Sequence, residues 1–347
     1  MSQDTPLYLM TMWNASMVEW LDIEVTSYCG LKCPGCLRQQ GEWIQPHLNS
    51  ERLELDLLKE RITRKSLPNL KTINFCGSID EPMAHPDIEK ISEWVTDLGC
   101  HLNIATSGSV RNPKFWSRYG SFLHSYPHSV FFGIDGMGNT SERYRIGSDW
   151  ELVRNNSRAF IQSGGKAIWQ YIAFEWNSHQ IEDAKRESSR EGFSGFRLIW
   201  SHRDRSGEMR KGSDVKGECN SVSGLPQESS PSVLATSIPT RPHISCRYLQ
   251  SRRLFLNHKG YVIPCCHLNS DTLKLIYGRE GNDDKYRLFW ETEGKESINI
   301  HHNNFENILD SDYYHGIIES WTDEPFDRCV STCAHKNHDE FEDDKYV

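Results

Sequence analysis

The chain has 347 residues, more than the roughly 100–200 of a typical domain, so we expect one barrel-sized domain followed by a smaller one. The net charge of −9, from 39 Lys and Arg against 48 Asp and Glu, argues against an extended phosphate-binding surface, and nucleic acid is not an expected partner. Residues 1–20 lack a signal-peptide pattern, and no apolar run approaches the roughly 20 residues of a membrane span, which predicts a cytoplasmic protein with no membrane contact.

Six short apolar or alternating segments, separated by helical patterns, predict repeated βα units around a parallel sheet. They are residues 20–26, 70–76, 101–106, 130–135, 167–174 and 196–200. Between the second and third segments, Ile88, Ile91, Val95 and Leu98 recur at helical spacing behind Pro86. Six units suit an open barrel better than a closed one of eight, so the predicted fold class is α/β, with a partial (β/α)6 TIM-like barrel.

The later part of the chain changes character. Residues 201–244 are polar and rich in Ser, Gly and Pro, which predicts a linker or a lid over the barrel mouth. A hairpin is expected over residues 254–263 and a helix around 311–321. The predicted division is therefore a barrel domain at 1–200, the linker, and a small α+β domain at 245–347.

Eleven cysteines without a secretion signal favour metal or redox chemistry over disulfides. Cys29, Cys33 and Cys36 follow the first predicted strand with the spacing C-x3-C-x2-C. A loop of this kind can fold three thiolates around one soft metal centre, and iron-sulfur clusters use thiolate ligands. The alternative from spacing alone is a structural zinc completed by a nearby His or Cys.

This segment resembles the radical S-adenosylmethionine (SAM) superfamily, whose signature is the same spacing after the first barrel strand. The resemblance implies a 4Fe-4S cluster with one iron left open for the amino and carboxylate groups of SAM. An electron from a reducing protein such as flavodoxin or ferredoxin would then cleave SAM to methionine and a 5′-deoxyadenosyl radical, which abstracts a substrate hydrogen. Gly35 departs from the family, which commonly has an aromatic residue beside the adenine.

The segment after the second predicted strand is similar to the family's Gly-Glu-Pro element, which meets the methionyl amino group of SAM. Asp80 replaces the usual glycine, so Glu81 and the neighbouring backbone, including Gly77, are the residues that the resemblance assigns to the cofactor. The alternative is an ordinary turn between a strand and a helix.

Three later strand ends carry further polar residues. Ser107 stands where the family has Asn in a Thr-Asn-Gly stretch, and Asp135 and Arg145 resemble a Ser-Asp-Gly…Tyr-Arg arrangement. The resemblance assigns Arg145 to the carboxylate of SAM, with a surface salt bridge as the alternative. Gln170 and residues 175–177 are expected at the same mouth, because barrel enzymes build their sites at the carboxyl ends of strands.

A second cysteine set lies near the C-terminus. A hairpin that brings two thiols together and a C-x3-C loop that supplies two more can complete a four-thiolate cage. The spacing from Cys246 to Cys265, with Gly260 between them, resembles the SPASM and twitch domains that carry auxiliary clusters. A twitch-like domain with a second 4Fe-4S cluster is expected on Cys246, Cys265, Cys329 and Cys333. Cys266 is a possible substitute for Cys265, and a structural zinc is the alternative occupant.

Together these motifs predict an enzyme that abstracts hydrogen from a peptide or protein. One alternative is a dehydrogenase or modifier of a small sugar or alcohol, and another is a non-catalytic zinc or iron-sulfur binding module. The sequence identifies no catalytic residue beyond the cofactor-binding set.

Overall fold

The structure is a computed structural model that describes residues 13–39, 41–49, 51–174, 176–200, 244–279, 281 and 283–334. The predicted linker or lid lies outside the described residues, apart from Ile244. No helix within the described ranges is long and apolar enough to cross a membrane. The proposed division into domains stays a prediction.

One eight-stranded sheet organises the described residues, in the order β6-β5-β4-β3-β2-β1-β7-β8. The strands β1 to β6 pair in parallel in sequence order, which confirms the predicted partial barrel. Their bounds are β1 Trp20–Ile23, β2 Thr72–Phe75, β3 His101–Thr106, β4 His128–Gly133, β5 Ala167–Ala173, β6 Gly195–Trp200, β7 Arg253–Leu256 and β8 Val262–Ile263.

The C-terminal hairpin continues this sheet. Strand β7 pairs in parallel with β1, with Trp20 opposite Arg253 and Ile23 opposite Leu256. Strand β8 then runs antiparallel to β7. The hairpin was predicted, but its place beside β1 was not. The hairpin between Cys246 and Cys265 therefore lies beside the strand that precedes the first cysteine set.

Helices cover the strands and fill the C-terminal part. They are α1 Leu55–Arg61, α2 Ile88–Asp97, α3 Pro113–Leu123, α4 Asn139–Tyr144, α5 Trp150–Gln162, α6 Ile181–Arg190, α7 Arg247–Gln250, α8 Cys266–Ile276, α9 Asp284–Phe289, α10 Phe305–Leu309, α11 Asp312–Asp323 and α12 Asp327–Cys333. The helices predicted behind Pro86 and around 311–321 are confirmed as α2 and α11.

One continuous apolar core joins the barrel strands to the C-terminal helices. Leu21 of β1, Trp169 of β5, Leu254 of β7 and Ile317 of α11 all belong to it and are almost fully buried. Burial of this kind is the main favourable term in folding. The second cysteine set packs against this core, through Cys246, Cys265, Cys329 and Cys333.

Candidate functional site

The first cysteine set lies in the loop that follows β1. Cys29, Cys33 and Cys36 are each partly exposed. The amide of Cys36 donates to the carbonyl of Cys33 at 3.0 Å, which closes a tight turn between the last two thiols. The amide of Lys32 donates to the carbonyl of Ile146 at 2.9 Å, which ties the loop to the segment after α4.

A buried arginine braces this loop from beneath. The guanidinium of Arg38 donates to the carbonyls of Ser27, Ile79 and Cys29 at 2.6, 3.0 and 2.9 Å, and to the Asn49 side chain at 2.9 Å. Asn49 in turn accepts from the amide of Cys29 at 2.9 Å. Arg38 is only 4% exposed. Sequence reasoning missed it, because nothing near it in the sequence separates it from a surface arginine.

Glu81 and Ser107 are in contact beside the cysteine loop. The Glu81 carboxylate accepts from the Thr106 hydroxyl at 2.5 Å, and from the amide and hydroxyl of Ser107 at 2.8 and 2.5 Å. The amide of Glu81 donates to the carbonyl of Tyr28 at 2.7 Å. Burial raises the pKa of the adjacent Cys29 to about 12, and the charge of Glu81 adds to the rise. The ends of β2 and β3 are thereby fixed against the loop.

Gly77 allows this close approach. It has φ of +60°, and a Cβ there would lie 3.1 Å from the carbonyl oxygen of Ala105. A side chain would therefore combine an unfavourable backbone conformation with a tight contact. The predicted role of the Gly77 backbone fits this position.

Asp135 and Arg145 form a buried ion pair, with Arg145 Nε 2.8 Å from Asp135 Oδ2. Asp135 is completely buried, and its Oδ1 accepts from the amide of Ile172 at 2.8 Å. Burial raises the pKa of Asp135, and Arg145 opposes that rise. Gly133 makes room for this pair, because a Cβ there would lie 2.3 Å from a terminal nitrogen of Arg145. The surface salt bridge considered for Arg145 is thus wrong: the pair is internal.

Aromatic rings surround Cys33 on the same side. The rings of Tyr144 and Phe174 lie 4.6 Å apart, and Phe174 stacks on Trp176 at 5.3 Å. Cys33 packs against this group, and its charge also interacts with Arg145. These rings come from the segments after β4 and β5, so they were not visible in the cysteine motif itself.

The side chains of Asn177 and Gln170, both predicted to lie at the barrel mouth, form hydrogen bonds within the protein. The Asn177 side chain is buried and bonds to the backbone of Phe174, Asp135 and Ile172. It therefore stabilises the turn after β5. The Gln170 side chain accepts from Arg197 at 3.4 Å. Residue 175 lies outside the described residues.

All four cysteines predicted for the second cluster line one small cavity that is partly open to solvent. Cys246 precedes α7, Cys265 precedes α8, and Cys329 and Cys333 lie on α12. Trp13, Leu268 and Ile317 supply apolar walls. Residues more than 80 positions apart in the sequence, from 246 to 333, thus converge on one site.

Burial is the largest cause of the raised pKa values of these thiols, and neighbouring charges add to it. Burial, together with the charges of other thiols in the set, raises the pKa of Cys246 to about 11 and that of Cys329 to about 12. Thiolates so crowded need a cation to offset their repulsion, which a metal cluster supplies. The donor set therefore fits a thiolate-bound cluster. Among the described residues, no three His, Cys, Asp or Glu side chains are placed to hold a single metal ion.

Cys266 faces a different environment. Burial raises its pKa, and it has a hydrogen bond to Tyr248, whose hydroxyl donates to Asp22 at 2.8 Å. Arg253 donates to the same carboxylate at 2.6 and 2.8 Å. Cys265 lines the cavity, whereas Cys266 is absent from its walls.

Comparison with known proteins gives one curated relative and several solved structures. No profile of a known protein family matches the chain. A Pyrococcus furiosus protein described as a tungsten-containing aldehyde ferredoxin oxidoreductase cofactor-modifying protein is 32% identical over 93 residues, 27% of this chain. The match spans about a quarter, 25%, of that relative's length.

The solved structures match nearly the whole chain at low identity. Streptococcus suis SuiB bound to S-adenosylmethionine has a TM-score of 0.56 at 14% identity, covering 88% of this chain and 66% of SuiB. SuiB bound to the precursor peptide SuiA has a TM-score of 0.54 at 13% identity, covering 89% and 66%. Native anSMEcpe with bound AdoMet has a TM-score of 0.53 at 13% identity, covering 87% and 83%. The chain therefore has the fold of the radical SAM enzymes that its cysteine motif resembles.

Proposed function

We propose that this chain is a radical SAM enzyme that modifies a peptide or protein. The observation that carries the proposal is the convergence of the C-x3-C-x2-C loop with Glu81 and Ser107 at the carboxyl ends of parallel strands. A fold shared with SAM-bound structures supports it.

In this proposal Cys29, Cys33 and Cys36 hold a 4Fe-4S cluster with SAM beside it. When bound and reduced, the cluster supplies the electron that cleaves SAM and leads to abstraction of a substrate hydrogen. Glu81 is held by Thr106 and Ser107, and it offers an anionic partner to the amino group of SAM.

Arg145 is assigned to the carboxylate of SAM. Its Nε faces Asp135, while its planar guanidinium carries further donors for a second anion. The buried ion pair fixes the direction of the guanidinium, so little orientational freedom is lost when the carboxylate binds. The rings of Tyr144, Phe174 and Trp176 restrict the access of water to the same side of the loop.

A second 4Fe-4S cluster is assigned to Cys246, Cys265, Cys329 and Cys333. Four thiolates leave no open iron, so we propose that this cluster transfers electrons or supports the fold. The ten described cysteines are all free of disulfides, which suits a reducing compartment such as the cytoplasm and an electron donor such as flavodoxin or ferredoxin.

The likeness to SuiB, one structure of which contains a precursor peptide, supports a peptide as the substrate class. We expect a panel of peptides incubated with SAM and dithionite to include at least one whose mass changes together with 5′-deoxyadenosine formation. Turnover of small sugars or alcohols with no peptide response would contradict the peptide assignment.

The first test changes Cys29, Cys33 and Cys36 together to Ala. We expect the variant to lose 5′-deoxyadenosine formation from SAM and dithionite while keeping about four irons, because the two thiol sets bind separate clusters. Continued cleavage of SAM by the purified variant would refute the proposed function.

The second test uses two neighbouring cysteines as variant and control. We expect reconstituted wild type to hold about eight irons, Cys265→Ala to fall towards about four, and Cys266→Ala to stay near eight. The reason is that only Cys265 of this pair lines the four-thiol cavity. Equal iron loss in both variants, or zinc in place of the second cluster, would contradict the assignment.

A further inference from the structure

A buried carboxylate without a partner lies beside the proposed cofactor site. Asp80 is 6% exposed, and neither of its carboxylate oxygens has a hydrogen-bond partner among the described residues. Leaving an ionised carboxylate in this state is costly. Since the resembled family has glycine here, the assigned cofactor contacts do not account for Asp80.

The two neighbouring acids, Glu24 and Glu81, differ from Asp80 because the carboxylate of each already has hydrogen-bond partners. Glu24 is fully buried and faces His258 Nδ1 at 3.1 Å and the Asn269 amide at 3.4 Å. The Glu81 carboxylate accepts hydrogen bonds from the Thr106 hydroxyl and the Ser107 amide at the end of β3. Burial raises the pKa of Asp80, and Glu24 and Glu81 raise it further. The backbone amides of Thr26 and Asp80 lower the pKa of Asp80. Neither carboxylate oxygen of Asp80 has a hydrogen-bond partner among the described residues.

Asp80 lies in a segment that is bound to the first cysteine loop, because the amide of Glu81 donates to the carbonyl of Tyr28 and Arg38 bridges the carbonyls of Ile79 and Ser27. Glu81, next in sequence, acts on the charge of Cys29 in the first set. The partly exposed Cys76 interacts electrostatically with Asp80, Glu24 and Cys266, which follows Cys265 of the second set. A group bound at Asp80 would therefore lie beside the loop that carries Cys29.

We propose that Asp80 binds a protonated amine or a guanidinium group of the substrate beyond the carboxyl end of β2. This inference rests on the proposed function and names the substrate class as cationic. A cation with several N–H donors satisfies both free oxygens at once through charge-assisted hydrogen bonds. The net charge of −9 also favours a basic substrate.

The test measures binding of small side-chain analogues to the full, anaerobically reconstituted chain. The probes are n-butylammonium and n-propylguanidinium chlorides, and 1-butanol and KCl at matched concentration serve as neutral and inorganic controls. We expect one of the two organic cations to bind wild type by calorimetry. Asp80→Asn should weaken that binding at least about tenfold, since it removes a charge-assisted contact. Asp97→Asn, at an exposed acid on α2, is the matched control and should bind as wild type does.

Weaker binding of an organic cation to Asp80→Asn than to wild type supports the assignment of Asp80 to a cationic group. Equal binding of the cation to Asp80→Asn, absence of binding to wild type, or equal binding of KCl or 1-butanol overturns the assignment. The wild-type comparison of cation with 1-butanol needs no variant, so it stands even if Asp80→Asn folds poorly. A separate assay tests the proposed function: if wild type forms no 5′-deoxyadenosine from SAM and dithionite, the proposed function fails, whatever the binding result.

Discussion

Arg38 offers a direct test of how the cysteine loop is held. We consider Arg38→Met, which keeps an apolar stem of similar length and removes every donor. Of the four hydrogen bonds, those to the carbonyls of Ser27 and Ile79 are fully buried. Those to Cys29 and Asn49 are partly exposed, so water can replace them. Counting only the buried two, at about 1.5–3 kcal/mol for each bond from a charged donor, gives a loss of about 3–6 kcal/mol.

The assay is urea unfolding of the metal-free chain, followed by iron analysis after reconstitution. Arg52→Met is the control, because Arg52 forms an exposed ion pair with Glu54 and should cost no more than about 1 kcal/mol. We also expect Arg38→Met to bind less iron at the first site, since the loop loses the contacts that position Cys29. A stability within about 1 kcal/mol of the control variant would show that the loop does not depend on Arg38.

Three further changes test the surrounding scaffold. Gly77→Ala should lower the unfolding free energy by about 1–2 kcal/mol through its positive φ, and an unchanged urea midpoint would contradict this. Arg253→Met should cost about 3–5 kcal/mol, because it leaves the buried Asp22 without its cation; a melting temperature equal to wild type would exclude this role. Glu191 is partly desolvated, but Arg158 and Arg154 lower its pKa to about 2, so its stabilisation is complete above pH 4.5 and fades towards pH 2. The stability gap between wild type and Glu191→Gln should therefore close over that range, and a constant gap would argue against the ion pairs.

Local patterns predicted the parts of the site that depend on short sequence spacing. The spacing predicted Cys29, Cys33 and Cys36 on the loop after β1, whereas the C-x3-C pair Cys329 and Cys333, predicted on a loop, lies on helix α12. The four cysteines of the second set line one cavity. Glu81 and Ser107 are in contact, and their roles towards SAM stay predictions. The apolar segments gave the six parallel strands because each one carries its own hydrophobic pattern.

Local sequence patterns could not predict contacts between segments that are far apart in the sequence. Arg38 bonds to a carbonyl 41 residues away, and no local feature marks that partner. The pairing of β7 with β1 joins residues more than 230 positions apart, such as Trp20 and Arg253. Asp80 was visible only as a departure from the resembled motif, since its isolation depends on which groups surround it in three dimensions.

The parallel pairing of β7 with β1 has a consequence for how the molecule folds. A version ending at residue 200 would leave one side of β1 without its hydrogen-bonded neighbour, and such an open strand edge invites association with other chains. We therefore expect residues 1–200 alone to be less stable and more prone to association than the full chain. Because a ligand that binds only the folded state stabilises that state, we expect loading of either thiol set to protect the other against unfolding.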